Sequence, residues 1–173
     1  MKGRGIVRVV VILLVLAFTI GCDQVSKSIV RTKLDVYDRY SFIGNHFTLL
    51  KVENTGAFLS LGDKLANPYR FILLTLLPVL SLLGGLLYIL IKRNFNPLTL
   101  FGIIFVIGGG MGNLYDRIAH GSVTDFMHID FGLFQTGIFN VADVSIMIGV
   151  GLIFVDGFVK NKDGKEQEAL AAE

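Results

Sequence analysis

The sequence predicts a mainly α membrane protein: four transmembrane helices with a small β element lying at the membrane surface. Three observations carry that prediction. Of the 173 residues 53% are hydrophobic and only 17% charged, against about 25% charged in a soluble domain. Mean hydropathy is +0.65. Four stretches approach the roughly 20 apolar residues that a spanning helix needs. The length suits one domain, residues 1–160, before a polar tail at 161–173 that is expected to be disordered. A net charge of +2, with no basic face carrying interleaved aromatics, excludes a nucleic-acid partner.

The first helix, about residues 9–30, has to be argued for. Residues 9–22 alone are too short to span and match the apolar core of a signal peptide. The stretch spans only if it continues through Asp23 and Lys27. "TIGC" at 19–22 is an imperfect lipobox, with Thr19 where Leu is usual, and three more apolar spans follow where a lipoprotein would have a soluble domain. Asp23 and Lys27 lie at i and i+4 in the favourable acid-first order, which makes a membrane-edge position tolerable. Cys22 is then a small apolar residue of that helix, and a single cysteine leaves no internal disulfide.

The loop at 31–70 contains "YSFIGNHFTLLKVEN", with strand-like runs either side of Gly44-Asn45, a hairpin turn pattern. The second helix, 71–91, ends at Lys92 and Arg93; the third, 98–115, starts after Pro97, which suits a first helical turn. The loop at 116–138 includes the aromatic-rich "FGLFQTGIF". The fourth helix, 141–159, closes at Lys160 and Lys162. Lys and Arg gather before helix one, between helices two and three and after helix four, which places both termini in the cytoplasm. Six basic residues in the 31–70 loop weigh against that orientation without reversing it.

Charges at membrane depth cost about 2.5–3.5 kcal/mol each and need a reason. Here Asp23, Lys27, Asn54, Asn113, Asp116, Arg117, Asp125, Asn140 and Asp143 all fall at the same ends of the helices or in the two loops beyond them. Two carboxylates brought together, such as Asp125 and Asp143, cannot both ionise cheaply. The pair could activate water with one member and protonate a carbonyl or leaving amine with the other, which needs no metal, serine or cysteine. His46, His120 and His128 have no metal-ligand spacing.

Plainer readings stand beside these. Asn140 could cap helix four, with Asp143 in its first turn, and Asp125 could be a loop acid. Gly108 and Gly112 form a GxxxG pair for close helix approach. Asp116 and Arg117 could be a surface ion pair, or Arg117 could hold a carbonyl or head group with its planar fork. Asn54 before Gly56 ordinarily means a turn. A proton- or ion-coupled carrier would also place carboxylates among helices, but "FILLTLLPVLSLLGGLLYILI" carries polar groups only at Thr75, Ser81 and Tyr88. A lipoprotein or structural membrane protein is the other rival.

Five motifs in order resemble the lipoprotein signal peptidase (signal peptidase II) family: "DQVSK" at 23–27, "NTGAF" at 54–58, "GGGMGNLYDR" at 108–117, "VTDF" at 123–126 and "FNVAD" at 139–143. The resemblance runs to about Val159. It implies an aspartic endopeptidase of the bacterial inner membrane, with Asp125 and Asp143 as its catalytic dyad, no cofactor, and a four-helix fold with an extracytoplasmic β-cradle. It implies that Asn54, Gly56, Asn113, Arg117 and Asn140 bind substrate or the antibiotic globomycin. Asp23, Lys27, Gly108, Gly112 and Asp116 would support the architecture. The implied substrate is a prolipoprotein carrying diacylglyceryl on cysteine, cut on that cysteine's amino side near the outer face, among membrane lipids and by a monomer. The family's glycine motif has one further alanine before its aromatic, so no roles pass to Ala57 and Phe58.

Overall fold

The computed structural model describes the backbone of residues 2–57 and 61–171 and the side chains of 5–57 and 61–160. Phe58 lies outside the described residues. Four long helices are each apolar enough to cross a membrane. Helix α1 runs Lys2–Lys33, so the chain does continue helically through Asp23 and Lys27. Helix α2 runs Tyr69–Ile91, α3 Pro97–His120 and α4 Val141–Ala171.

Several boundaries differ from expectation for physical reasons. Within α2 the stretch Ile72–Leu76 is a π-helix. It lies just before Pro78, which has no N–H to return to the Leu74 carbonyl. Helix α3 opens at Pro97, with the Asn96 side chain accepting the Leu98 N–H at 3.2 Å, and stops at left-handed Gly121, φ 79°. It therefore runs five residues past Tyr115, and Asp116 and Arg117 sit on a helix rather than in a loop. Beyond its span α4 continues as backbone helix to Ala171, where the sequence suggested a disordered tail. The lysine, glutamate, glutamine and alanine residues of that segment are strong helix formers.

The sheet has three antiparallel strands in the order β1 (Arg39–Phe42), β2 (Phe47–Asn54), β3 (Val123–Ile129). Gly44 and Asn45 hold the centre of the β1–β2 hairpin with φ 63° and 70°, and the His46 N–H closes it onto the Ile43 carbonyl at 3.2 Å. Positive φ at both central positions is what a tight hairpin demands. Strand β3 lies where the sequence suggested a loop. It covers "VTDFMHI", whose first four residues are all buried and so show no alternation. The register pairs Val52 with Asp125 and Asn54 with Val123, with a bulge between Leu49 and Val52.

Helix α3 is the hub. Successive helical residues point about 100° apart, so Gly108, Gly109 and Gly110 face three different helices. A Cβ on Gly108 would lie 2.9 Å from Thr19 of α1; on Gly109 it would strike the Ala142 carbonyl of α4; on Gly110 it would lie 2.7 Å from Leu82 of α2. Gly112, one turn beyond Gly108, meets Asp23 in the same way at 2.5 Å. Gly108 and Gly112 thus form the close seam with α1 that the GxxxG spacing predicts. Below it an apolar cluster of Ile12, Leu16, Ile89, Ile104 and Ile107 fills the centre.

Candidate active site

At the sheet end of the bundle lies a buried ionic core. Lys27 and Asp23 have no exposed surface, nor has Asp116. Lys27 Nζ lies 2.8 Å from Asp23 Oδ2 and 2.9 Å from Asp116 Oδ2, and it donates to Asn113 Oδ1 at 2.8 Å. Arg31, one further helical turn along, reaches Asp116 Oδ1 at 2.8 Å. Two acids and two bases cancel, which is the condition for tolerating burial. Asp23 has a second job: its Oδ1 accepts the Ala142 N–H at 2.9 Å, capping α4 from α1.

Lys27 has donors only, so it fixes how Asn113 is turned. The Asn113 oxygen faces Lys27, and its Nδ2 donates to Asp143 Oδ1 at 2.8 Å. Asn140 Nδ2 donates to the same Asn113 oxygen at 3.1 Å and to Asp125 Oδ1 at 2.6 Å. Asn54 Nδ2, from β2, donates to Asp125 Oδ2 at 3.0 Å. The carboxylates of Asp125 and Asp143 are therefore each held by an asparagine amide from another element.

The capping reading of "NVAD" also holds. The Asp143 N–H donates to Asn140 Oδ1 at 3.0 Å, and the Asn140 N–H to Asp143 Oδ2 at 3.1 Å. That reciprocal pair is a capping box, and it leaves Asp143 at the positive end of α4. Asn54 likewise makes its turn, accepting the Gly56 N–H at 3.0 Å. Local structure and site use the same side chains.

Both carboxylates line one cleft of about 270 Å³ with Asn54, Ala57, Asn113 and Arg117, walled by Val123, Ile138, Ile146 and Met147. Arg117 Nη2 donates to the Gly56 carbonyl at 2.9 Å, tying α3 to the β2 exit. Its Nε is buried without a partner among the described residues. Burial pushes the Asp125 carboxyl from 3.8 up to about 6; the amide of Asn54 opposes that, the charge of Asp143 adds to it, and Asn140 opposes it too.

The residues the sequence marks as lining or supporting a site come together here. Asp125, Asp143, Asn54, Asn113 and Arg117 line the cleft, while Gly56 and Asn140 hold its lining in place. Asp23, Lys27, Asp116, Gly108 and Gly112 form the layer beneath. Four further residues complete that layer. Gln24 Nε2 reaches Asp23 at 3.0 Å, the Gly112 carbonyl at 3.1 Å and Asp116 at 3.2 Å. Arg31 Nε donates to Thr124 at 2.7 Å, and Thr124 donates to Glu53 at 2.9 Å, joining α1 to the sheet. The spacing 23, 27, 31 along one helical face was a usable signal for Arg31; nothing local marks Gln24, Thr124 or Glu53.

Comparison with known proteins identifies the family and the fold. A family model described as signal peptidase (SPase) II matches residues 14–159. The chain is 34% identical over 155 residues to a lipoprotein signal peptidase of Streptococcus pneumoniae, covering 90% of this chain and 94% of that one. It is 35% identical over 147 residues to one from Maridesulfovibrio salexigens, covering 83% and 92%. A bacterial membrane enzyme structure determined by the in meso method superposes with a TM-score of 0.76 at 26% identity, over 90% of this chain and 91% of that one. With a four-span body and the family model matched over residues 14–159, the chain belongs to the signal peptidase II family.

Proposed function

We propose that the protein is an aspartic endopeptidase that cuts diacylglyceryl-modified prolipoproteins on the amino side of the modified cysteine. The observation that supports this reading is the pair Asp125 and Asp143, brought from β3 and α4 to one cleft and oriented by asparagines from other elements. A carboxyl carried up to about 6 sits near the operating pH, where a group can both take and give a proton.

In the proposed reaction the ionised member of the dyad takes a proton from a water held between the two. The water oxygen attacks the scissile carbonyl carbon, and the protonated member donates to the carbonyl oxygen. Collapse breaks the C–N bond, and the amine of the modified cysteine leaves with a proton from the dyad. Buried Arg117 Nε, with no partner among the described residues, supplies a donor for a substrate carbonyl. Asn113 and Asn140 hold the two carboxylates still throughout. Globomycin-type peptides would occupy the same cleft. The charge pattern supports both termini in the cytoplasm and the cleft at the outer face.

The test is cleavage of a purified precursor in two forms, with and without diacylglyceryl on its cysteine, read by mass spectrometry of the products. The reading expects a fragment beginning at the modified cysteine, and intact unmodified precursor. Equal cleavage of both forms, or a cut elsewhere, refutes it.

A further inference from the structure

The segment between β3 and α4 carries a feature that the proposed reaction does not use. From Phe131 to Ala142 no residue is charged. Within it Leu133 is fully exposed at 107%, with Phe131 at 63% and Phe134 at 68%. These side chains sit on an ordered turn. The Phe131 N–H donates to the Phe134 carbonyl at 2.8 Å, the Gly132 N–H to Asp130 Oδ1 at 2.7 Å, and the Thr136 N–H to the Ile129 carbonyl at 2.8 Å.

The turn is fastened to the tip of the β1–β2 hairpin. The Asp130 N–H donates to the His46 carbonyl at 2.9 Å, His46 Nδ1 donates back to the Asp130 carbonyl at 2.7 Å, and the His46 and Phe131 rings lie 5.3 Å apart. That hairpin tip adds Ile43, 78% exposed. An ordered protrusion of two phenylalanines, a leucine and an isoleucine is a poor surface to leave in water.

Its position says what covers it. Phe139 pairs with Met127 of β3, and Val141 begins a membrane span. Leu133 is therefore tethered eight residues from the start of a transmembrane helix, within about 28 Å even if fully extended. Aromatic side chains on uncharged backbone at that level are what membrane–water interfaces collect.

We propose that the 131–134 turn and the Ile43 tip insert into the lipid leaflet on the sheet's side of the bilayer, a second membrane contact besides the four spans. The sheet then lies against the bilayer, and the cleft, whose wall includes Ile138 of the same segment, opens at lipid depth. The inference concerns bulk lipid and does not depend on which bond the protein cuts.

The chain has no tryptophan, so Leu133→Trp introduces a single fluorescent reporter at a fully exposed position. The full-length variant is placed in phosphatidylcholine vesicles with bromines near the headgroup end of the acyl chains, without substrate. The expected result is blue-shifted emission that loses most of its intensity to brominated lipid and is shielded from aqueous iodide. Water-like emission open to iodide and indifferent to bromine overturns the proposal. So does emission shielded from both quenchers that changes with protein-to-lipid ratio, which would mean that a second copy covers the turn. Phe134→Trp repeats the measurement, and the proposal requires bromine quenching at both positions.

Discussion

Replacing Lys27 with methionine removes the one cation shared by Asp23 and Asp116 while keeping most of the side-chain volume. The core then passes from net zero, Asp23 and Asp116 against Lys27 and the partly exposed Arg31, to one uncompensated negative charge on two carboxylates with no exposed surface. Removing one partner of a buried pair costs about 3–5 kcal/mol, against about 0.3–0.5 kcal/mol for an exposed pair of the same spacing. For a chain of this size the larger figure is a fall in melting temperature of roughly 6–20 °C. Circular dichroism melts in detergent would read it. Asp23→Asn combined with Lys27→Met restores neutrality and keeps an oxygen for the Ala142 N–H, so the double variant should recover about 0.5–3 kcal/mol relative to additivity. Lys27→Met should also lower cleavage where the protein is still folded, because Asn113 loses the group that turns its amide toward Asp143. A melt within about 1 °C of wild type, with unchanged cleavage, would refute the buried-core reasoning.

Two further predictions rest on packing and on protons. Gly109→Ala drives a methyl into the Ala142 carbonyl and to within 2.8 Å of Ile146 Cγ1, so it should cost about 1–3 kcal/mol. Gly84→Ala, with nothing within 4 Å, should be neutral or stabilising in the same melt, and equal effects would contradict the assigned α3–α4 contact. Asp125, carried from 3.8 to about 6, binds its proton more tightly folded than unfolded. Stability from this group is therefore present at low pH, declines as pH rises through that window, and is flat above it, a change of about 3 kcal/mol. Asp125→Asn lacks the decline, so the stability difference between wild type and variant should move by most of that amount between about pH 4 and about pH 7. Parallel profiles would contradict the assignment.

The parts of the fold legible in the sequence are those set by short-range pattern. Apolar length marks three of the four spans, Gly44-Asn45 marks the hairpin, and the 108/112 spacing marks the α1 seam. The i,i+4 placement of Asp23 and Lys27 correctly suggested a helix that tolerates charge, but nothing local shows that Asp116, 89 positions beyond Lys27, completes the core. Strand β3 was illegible because Val123 to Phe126 are buried on both faces, which erases period two. The π-helical stretch of α2 is invisible in a uniformly apolar run. At the candidate site the polar residues were legible as a convergence, since lipid penalises them anywhere else. Their hydrogen-bond order, with Lys27 turning Asn113 and Asn140 tying both carboxylates, exists only once α1, α3, β3 and α4 have met.

The measurement that bears most directly on the proposed dyad is cleavage of a purified diacylglyceryl-modified precursor in detergent by wild type, Asp125→Asn and Asp143→Asn side by side, with and without EDTA. The account predicts product from wild type alone, undiminished by EDTA, with both variants folded and inactive. Normal cleavage by either folded variant, or loss of wild-type cleavage on chelation, would contradict it.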